Sequence, residues 1–170
     1  TLPDNSVKTF PEGITAQEVA NSIGSGLARA VVVAKIDGVL KDLNYKILKD
    51  SSLELFTGDT PEGHDTLLHS TAHLMAQAVK ALYPNAKFTI GPTIENGFYY
   101  DFDLDVSFSE DSLVSIENKM KELSKKNQEI FRYEVSASEA VSIFEKLGES
   151  YKVEIVRQIN PKDTISLYKQ

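Results

Sequence analysis

Two histidines four residues apart, in the run His69-Ser70-Thr71-Ala72-His73, have the types and spacing best suited to chemistry in this sequence. On a helix they project from one face, about 40° apart around the axis. Imidazole as a free side chain titrates near ~6.5, and two of them can bind a metal, share a proton, or position a water or hydroxyl. A zinc site needs a third ligand at least. The sequence has no Cys, and its remaining histidine, His64, stands in a loop-like stretch. The metalloprotease motif also requires Glu after the first His, where this chain has Ser70. No metal site is therefore expected, and the spacing leaves acid–base work or a pair of inert helix-surface histidines.

A second candidate is the run Glu95-Asn96-Gly97-Phe98-Tyr99-Tyr100-Asp101-Phe102-Asp103, preceded by Gly91-Pro92. Strand alternation would put Phe98, Tyr100 and Phe102 on one face and Tyr99, Asp101 and Asp103 on the other. Tyrosine pairs an apolar ring with a hydroxyl tip, which suits the wall of a nucleotide pocket. An ordinary hairpin accounts for the same pattern. Lys152, in the Tyr151-Lys152 pair, reads by default as a surface lysine with its stem laid on apolar neighbours.

The elements that must hold these residues follow from periodicity. Residues 57–65 combine two Gly, a Pro and three acids without apolar repeat, and read as a loop between units. Before it, 7–10 alternates like a strand. Thr15 with Glu18 forms a capping box for a short helix, 30–36 reads as a buried strand, Asp37-Gly38 as a hairpin turn, and 53–56 as a closing strand. The expected core is Val19, Ile23, Val31, Val33, Ile47 and Leu55. After the loop, Asp65 is placed to cap a helix over 66–83, buried through Leu68, Ala72, Met75, Val79 and Leu82. Strands are expected at 87–90 and 98–104. A helix over 109–126 should bury Leu113, Ile116, Met120 and Leu123, and 130–135 reads as another strand. Ser136 with Glu139 opens a helix buried through Ala140, Ile143, Phe144 and Leu147, with Gly148 as its stop. Tyr151, Ile155 and Ile159 suggest a further helix, although 153–155 could alternate as a strand. The strand at 165–168 has no evident turn or partner, as though it begins a larger fold. The expected division is 1–60 and 61–170, within an α+β class.

Composition narrows the classes. The chain has 170 residues, 41% hydrophobic and 25% charged, an ordinary globular balance able to bury a core. The longest apolar run is five residues, far short of the ~20 a membrane helix needs, and the N-terminus has no signal-peptide pattern. Residues 1–57 hold 6 basic and 7 acidic groups, and the remainder 12 and 18, for a net charge of −7. A nucleic-acid partner would thus be held by a few placed groups and not by bulk field. The lack of Cys fits a reducing cytoplasm.

The stretch His69-Ser70-Thr71-Ala72-His73-Leu74, followed by Ile90-Gly91-Pro92 and Asn96-Gly97-Phe98-Tyr99-Tyr100-Asp101, resembles the editing domain shared by threonyl- and alanyl-tRNA synthetases. The preceding Thr9-Phe10-Pro11-Glu12-Gly13-Ile14-Thr15 and Val33-Ala34-Lys35-Ile36-Asp37-Gly38 resemble a TGS domain, a ubiquitin-like β-grasp module. That order is similar to the N-terminal region of threonyl-tRNA synthetases. The resemblance implies His69 and His73 as catalytic histidines, Lys152 as a catalytic lysine and Tyr100 as a substrate-binding residue. It implies hydrolysis of mischarged seryl-tRNA(Thr), with tRNA(Thr) as partner. The family's pocket is completed by a later segment carrying a Cys and a His, so the editing domain is expected to be truncated here. ATP, Mg and Zn are implied only for a catalytic core outside these residues, with no cofactor in this region. A cytoplasmic, membrane-free protein is implied, dimeric when complete and monomeric as this fragment. A catalytically silent tRNA-binding module is the rival reading. A regulatory ligand-binding protein built on the TGS unit alone would lack the histidine helix.

Overall fold

Thr15 begins the regular structure. Its hydroxyl accepts the Glu18 N–H at 3.2 Å while Glu18 Oε2 accepts the Thr15 N–H at 2.8 Å, the reciprocal box expected from the sequence. The structure, a computed structural model, describes residues 1–2 and 6–169. Strand β1 (Ile14–Thr15) runs into α1 (Ala16–Ile23), followed by α2 (Ser25–Ala30), β2 (Val31–Ile36), β3 (Val39–Lys41), β4 (Lys46–Ile47) and β5 (Leu53–Thr57). The sheet order is β3-β2-β5, all antiparallel, with β1 paired to β4 separately. Asp37 and Gly38, at φ 50° and 80°, make the β2–β3 turn, where both central residues need positive φ.

Ala16, Val19, Ala34, Ile36 and Leu53 form the first core, with Ile47 and Leu55 packed against it. Two expectations change, and one helix is new. No strand forms at 7–10, where Val7 is largely exposed. Ile23 is also exposed, because α1 ends there and the chain turns at once into α2. That second helix has no buried residue, hence no apolar stripe by which periodicity could reveal it.

The loop expected at 58–65 is largely helical: α3 spans Pro61–Leu82. Its start follows from local chemistry. Thr60 Oγ1 accepts the Gly63 N–H at 3.2 Å, and Pro61 occupies the first helical position, where its missing N–H costs nothing. Asp65 is therefore inside the helix and does not cap it. Glu62 pairs with Lys35 of β2 at 3.1 Å. A β-carbon on Gly63 would collide with the Thr57 carbonyl, so the first turn of α3 depends on a glycine there. Gly63→Ala is expected to cost roughly 1–3 kcal/mol by forcing this contact apart. Gly26→Ala, with open space around its β-carbon, should be neutral or mildly stabilising. Thermal melts followed by circular dichroism check the pair; equal midpoints for both variants would refute the close approach.

The chain divides into two compact units, Thr1–Ser70 and Thr71–Gln170, with the division inside α3. The second unit continues through β6 (Lys87–Phe88), β7 (Thr93–Ile94), β8 (Gly97–Phe98), β9 (Phe102–Asp103), α4 (Glu110–Lys125), β10 (Phe131–Val135), α5 (Ala137–Lys146), α6 (Ser150–Gln158) and β11 (Ile165–Lys169). Its core joins Ala78, Val79, Ala86, Phe88 and Ile116. Ser109 and Ser136 cap α4 and α5, the latter in the expected box with Glu139. The strands expected at 87–90 and 98–104 shorten to two-residue pairings, β6 with β9 and β7 with β8. Leu82, Leu113, Ile143 and Leu147, expected inside, are exposed. Residues 150–158 settle as a helix whose buried positions are Val153 and Val156, with Ile155 exposed. Strand β11 does have a partner: it pairs antiparallel with β10 from Phe131↔Lys169 to Val135↔Ile165. Among the described residues, no helix is long and apolar enough to cross a membrane. Mixed helices and antiparallel strands make this an α+β fold, as expected.

Candidate active site

Phe88 organises the site. Its ring is buried against α3 and receives Tyr100 edge-on, at 6.0 Å between centroids and 88° between planes. Tyr100 in turn stacks on Phe102 at 5.0 Å and 10°. The expected alternation survives although the strand is interrupted: Phe98, Tyr100 and Phe102 are partly buried, while Tyr99, Asp101 and Asp103 face solvent. Irregular backbone bonds sustain it, Thr89 N–H to the Asp101 carbonyl at 3.2 Å and Asp101 N–H to the Ile90 carbonyl at 3.0 Å. Gly91 lies directly against the Tyr100 ring, where any β-carbon would overlap it. The Gly91-Pro92 pair thus makes room for Tyr100. Burial, and then the negative charge of Glu149, push the Tyr100 phenol above its ordinary pKa.

Lys152 is no simple surface lysine. It projects from the first turn of α6, and its ammonium lies 5.5 Å from the centroids of both Phe88 and Phe144, within cation–π range. Burial is the main cause holding its pKa below that of an ordinary lysine; the nearby Lys80 charge adds to this and Glu149 opposes it. Neighbouring Tyr151 turns elsewhere, its hydroxyl donating to Asp103 Oδ2 at 2.9 Å.

Lys80 ties these groups to α3. Its ammonium donates to Glu149 Oε1 at 3.0 Å and to the Ala86 carbonyl at 2.9 Å, and lies 5.3 Å from the Phe88 centroid. His73 precedes Lys80 by seven residues, two helical turns, so the two share a face about 10 Å apart along the axis. His69, one turn earlier, falls on that same side of the helix. Both histidines are exposed. Tyr100 and Lys152 are thus brought together on Phe88, while His73 shares the Lys80 face of α3 and His69 belongs to the first unit. Among the described residues no group of three or more His, Cys, Asp or Glu side chains lies together as a metal site would require.

Sequence reasoning missed Lys80, Phe88, Phe144 and Glu149. Lys80 was within reach, since it repeats the His73 face at i+7. Glu149 carried no such signal, because its burial follows from how α6 meets Lys80.

Residues 1–57 match the family model described as the TGS domain. They are a TGS domain. Strands β1 to β5 with α1 and α2 make up that domain, and the histidine helix follows the TGS domain within a few residues. Over all 170 residues the chain is 50% identical to a threonine–tRNA ligase of Alkalilimnicola ehrlichii. It is 49% identical, over the same 170 residues, to that of Cupriavidus pinatubonensis. Against that of Acetivibrio thermocellus the figure is 47%, again over the full chain. The match covers 26% of the first relative and 27% of the other two, so the chain spans about a quarter of their length. The chain is thus similar throughout to the N-terminal region of threonyl-tRNA synthetases, TGS domain included.

Proposed function

We propose that this chain is the N-terminal region of a threonine–tRNA ligase and that the part following its TGS domain hydrolyses seryl-tRNA(Thr). A pocket for threonine separates serine poorly, since one methyl is worth only ~1–3 kcal/mol, and hydrolysis of the wrong ester is the physical remedy. The observation that carries this reading is the pairing of Tyr100 and the Lys152 ammonium on one buried ring, beside the face of α3 that bears His73. Tyr100 lines the terminal adenosine or aminoacyl group. His73, as the neutral imidazole, positions or deprotonates water directly or through a ribose hydroxyl, and His69 holds substrate. Lys152 offsets the negative charge that develops on the ester carbonyl oxygen as water adds; as the carbonyl re-forms, the ester C–O bond breaks, the ribose oxygen takes the proton that His73 removed from water, and serine is released.

Attachment of threonine with ATP, Mg and Zn belongs to the remaining three quarters of such a protein, as do its dimeric assembly and most of its grip on tRNA(Thr). The setting is cytoplasmic translation. The test is clearance of seryl-tRNA(Thr) by the full-length ligase carrying this sequence, with threonyl-tRNA(Thr) as the control substrate. Rapid loss of the seryl ester and persistence of the threonyl ester are expected. An enzyme that charges threonine yet leaves both esters intact would reduce this region to a silent tRNA-binding module.

A further inference from the structure

Glu149 is a buried charged side chain, 7% exposed, at the residue preceding α6. A carboxylate leaves water only at considerable cost unless its oxygens are matched. Here Oε1 is matched by Lys80 at 3.0 Å, while Oε2 is buried with no hydrogen-bond partner. The side chain does not cap its helix, so capping does not explain its burial. Lys152 stands three residues further on, on the same side of the first turn. Lys80 and Lys152 both hold their ammoniums over Phe88, two like charges sharing one ring and one carboxylate. Tyr100 also packs on Phe88, Asp103 is occupied by Tyr151, and α5, which packs on α6, carries Glu145, paired with Arg157 at 3.0 Å.

We propose that Glu149 is a positioning residue for Lys152: it anchors Lys80 with one oxygen and, through its remaining charge, keeps the Lys152 ammonium a seated cation over Phe88 and Phe144. The charge balance shows why this matters. Two ammoniums and one carboxylate leave a net charge of +1, the charge needed against a developing oxyanion. Without the carboxylate, two partly desolvated cations face each other, and the more buried one gives up its proton most readily. The catalytic significance rests on the editing role proposed for Lys152; the electrostatic relation does not.

The experiment is a titration of Lys152 in this 170-residue chain, reading its Cε resonance in protein labelled with carbon-13 lysine and assigned with Lys152→Arg. Glu149→Gln, isosteric and neutral, should lower the Lys152 midpoint by about one pH unit. Glu149→Asp, which keeps the charge, should restore it to near the parental value. Lys80→Met removes the like charge and should raise the midpoint. An unmoved or raised midpoint in Glu149→Gln, or an Asp variant titrating with the Gln variant, overturns the proposal. Should Glu149→Gln fail to fold, the charge-balanced double variant Lys80→Met/Glu149→Gln is compared with Lys80→Met: a lower midpoint in the double variant supports the proposal, and an equal or higher one refutes it. In the full-length ligase, Glu149→Gln should slow seryl-tRNA clearance about tenfold through kcat, with little change in KM or in threonine charging. The titration reads Lys152 whether or not the ligase edits, so an inactive parent would sink the editing role while a shifted midpoint still upheld the Glu149–Lys152 relation.

Discussion

In the full-length ligase, His73→Ala is expected to lower clearance of seryl-tRNA(Thr) by about 10²–10⁴-fold, the range for removal of a positioned general base. Threonine charging should continue at the parental rate, because that chemistry is assigned to residues outside this chain. Mischarged seryl-tRNA should then accumulate in a mixture supplied with serine. The argument is geometric: His73 shares the α3 face of Lys80, whose ammonium touches Phe88 and Glu149. The imidazole is exposed and alanine is a strong helix former, so the variant should keep its fold. Circular dichroism of the 170-residue chain checks this. A folded His73→Ala protein that clears seryl-tRNA as fast as its parent removes this histidine from the mechanism.

Lys152→Met should be nearly as damaging, losing about 10²–10³ in kcat if the ammonium stabilises the oxyanion. Its effect on stability should run the opposite way. Burial holds the Lys152 pKa below its unfolded value of about 10.4, so the unfolded chain binds more protons between the two values. At pH 7 the folded protein carries the cost of a partly buried cation. That cost is relieved as pH rises through the lowered pKa toward the unfolded one. Methionine fills much of the same space without charge. The variant should therefore melt at or above the parental temperature at pH 7, and the difference should shrink above pH 10. A clear drop in melting temperature would show Lys152 to be structural, with its loss of activity a consequence of misfolding.

The capping boxes show how much local chemistry determines. Thr15 with Glu18 and Ser136 with Glu139 start their helices where the sequence places them, because both partners of each box lie within one helical turn. The Asp37-Gly38 turn and the inward face of Phe98, Tyr100 and Phe102 were legible for the same reason. The start of α3 was misread although its signals are equally local. Thr60 and Pro61 open a helix, but Gly63 reads as a breaker until the close approach to Thr57 gives it a purpose.

Burial required the tertiary structure. Ile23, Leu82 and Leu113 sit at apolar-looking positions yet face solvent, since periodicity names a stripe without saying where its covering element stops. The chemical site divides along the same line. His69 and His73 declare themselves by spacing, because four residues along a helix is a geometric statement in itself. Lys152 acquires its character from Phe88 and Phe144, and Glu149 from Lys80, partners 8 to 69 residues distant in the chain. A lysine's charge depends on the water and counter-charges around it, and only the packing of α6 against α5 and β6 sets those for Lys152.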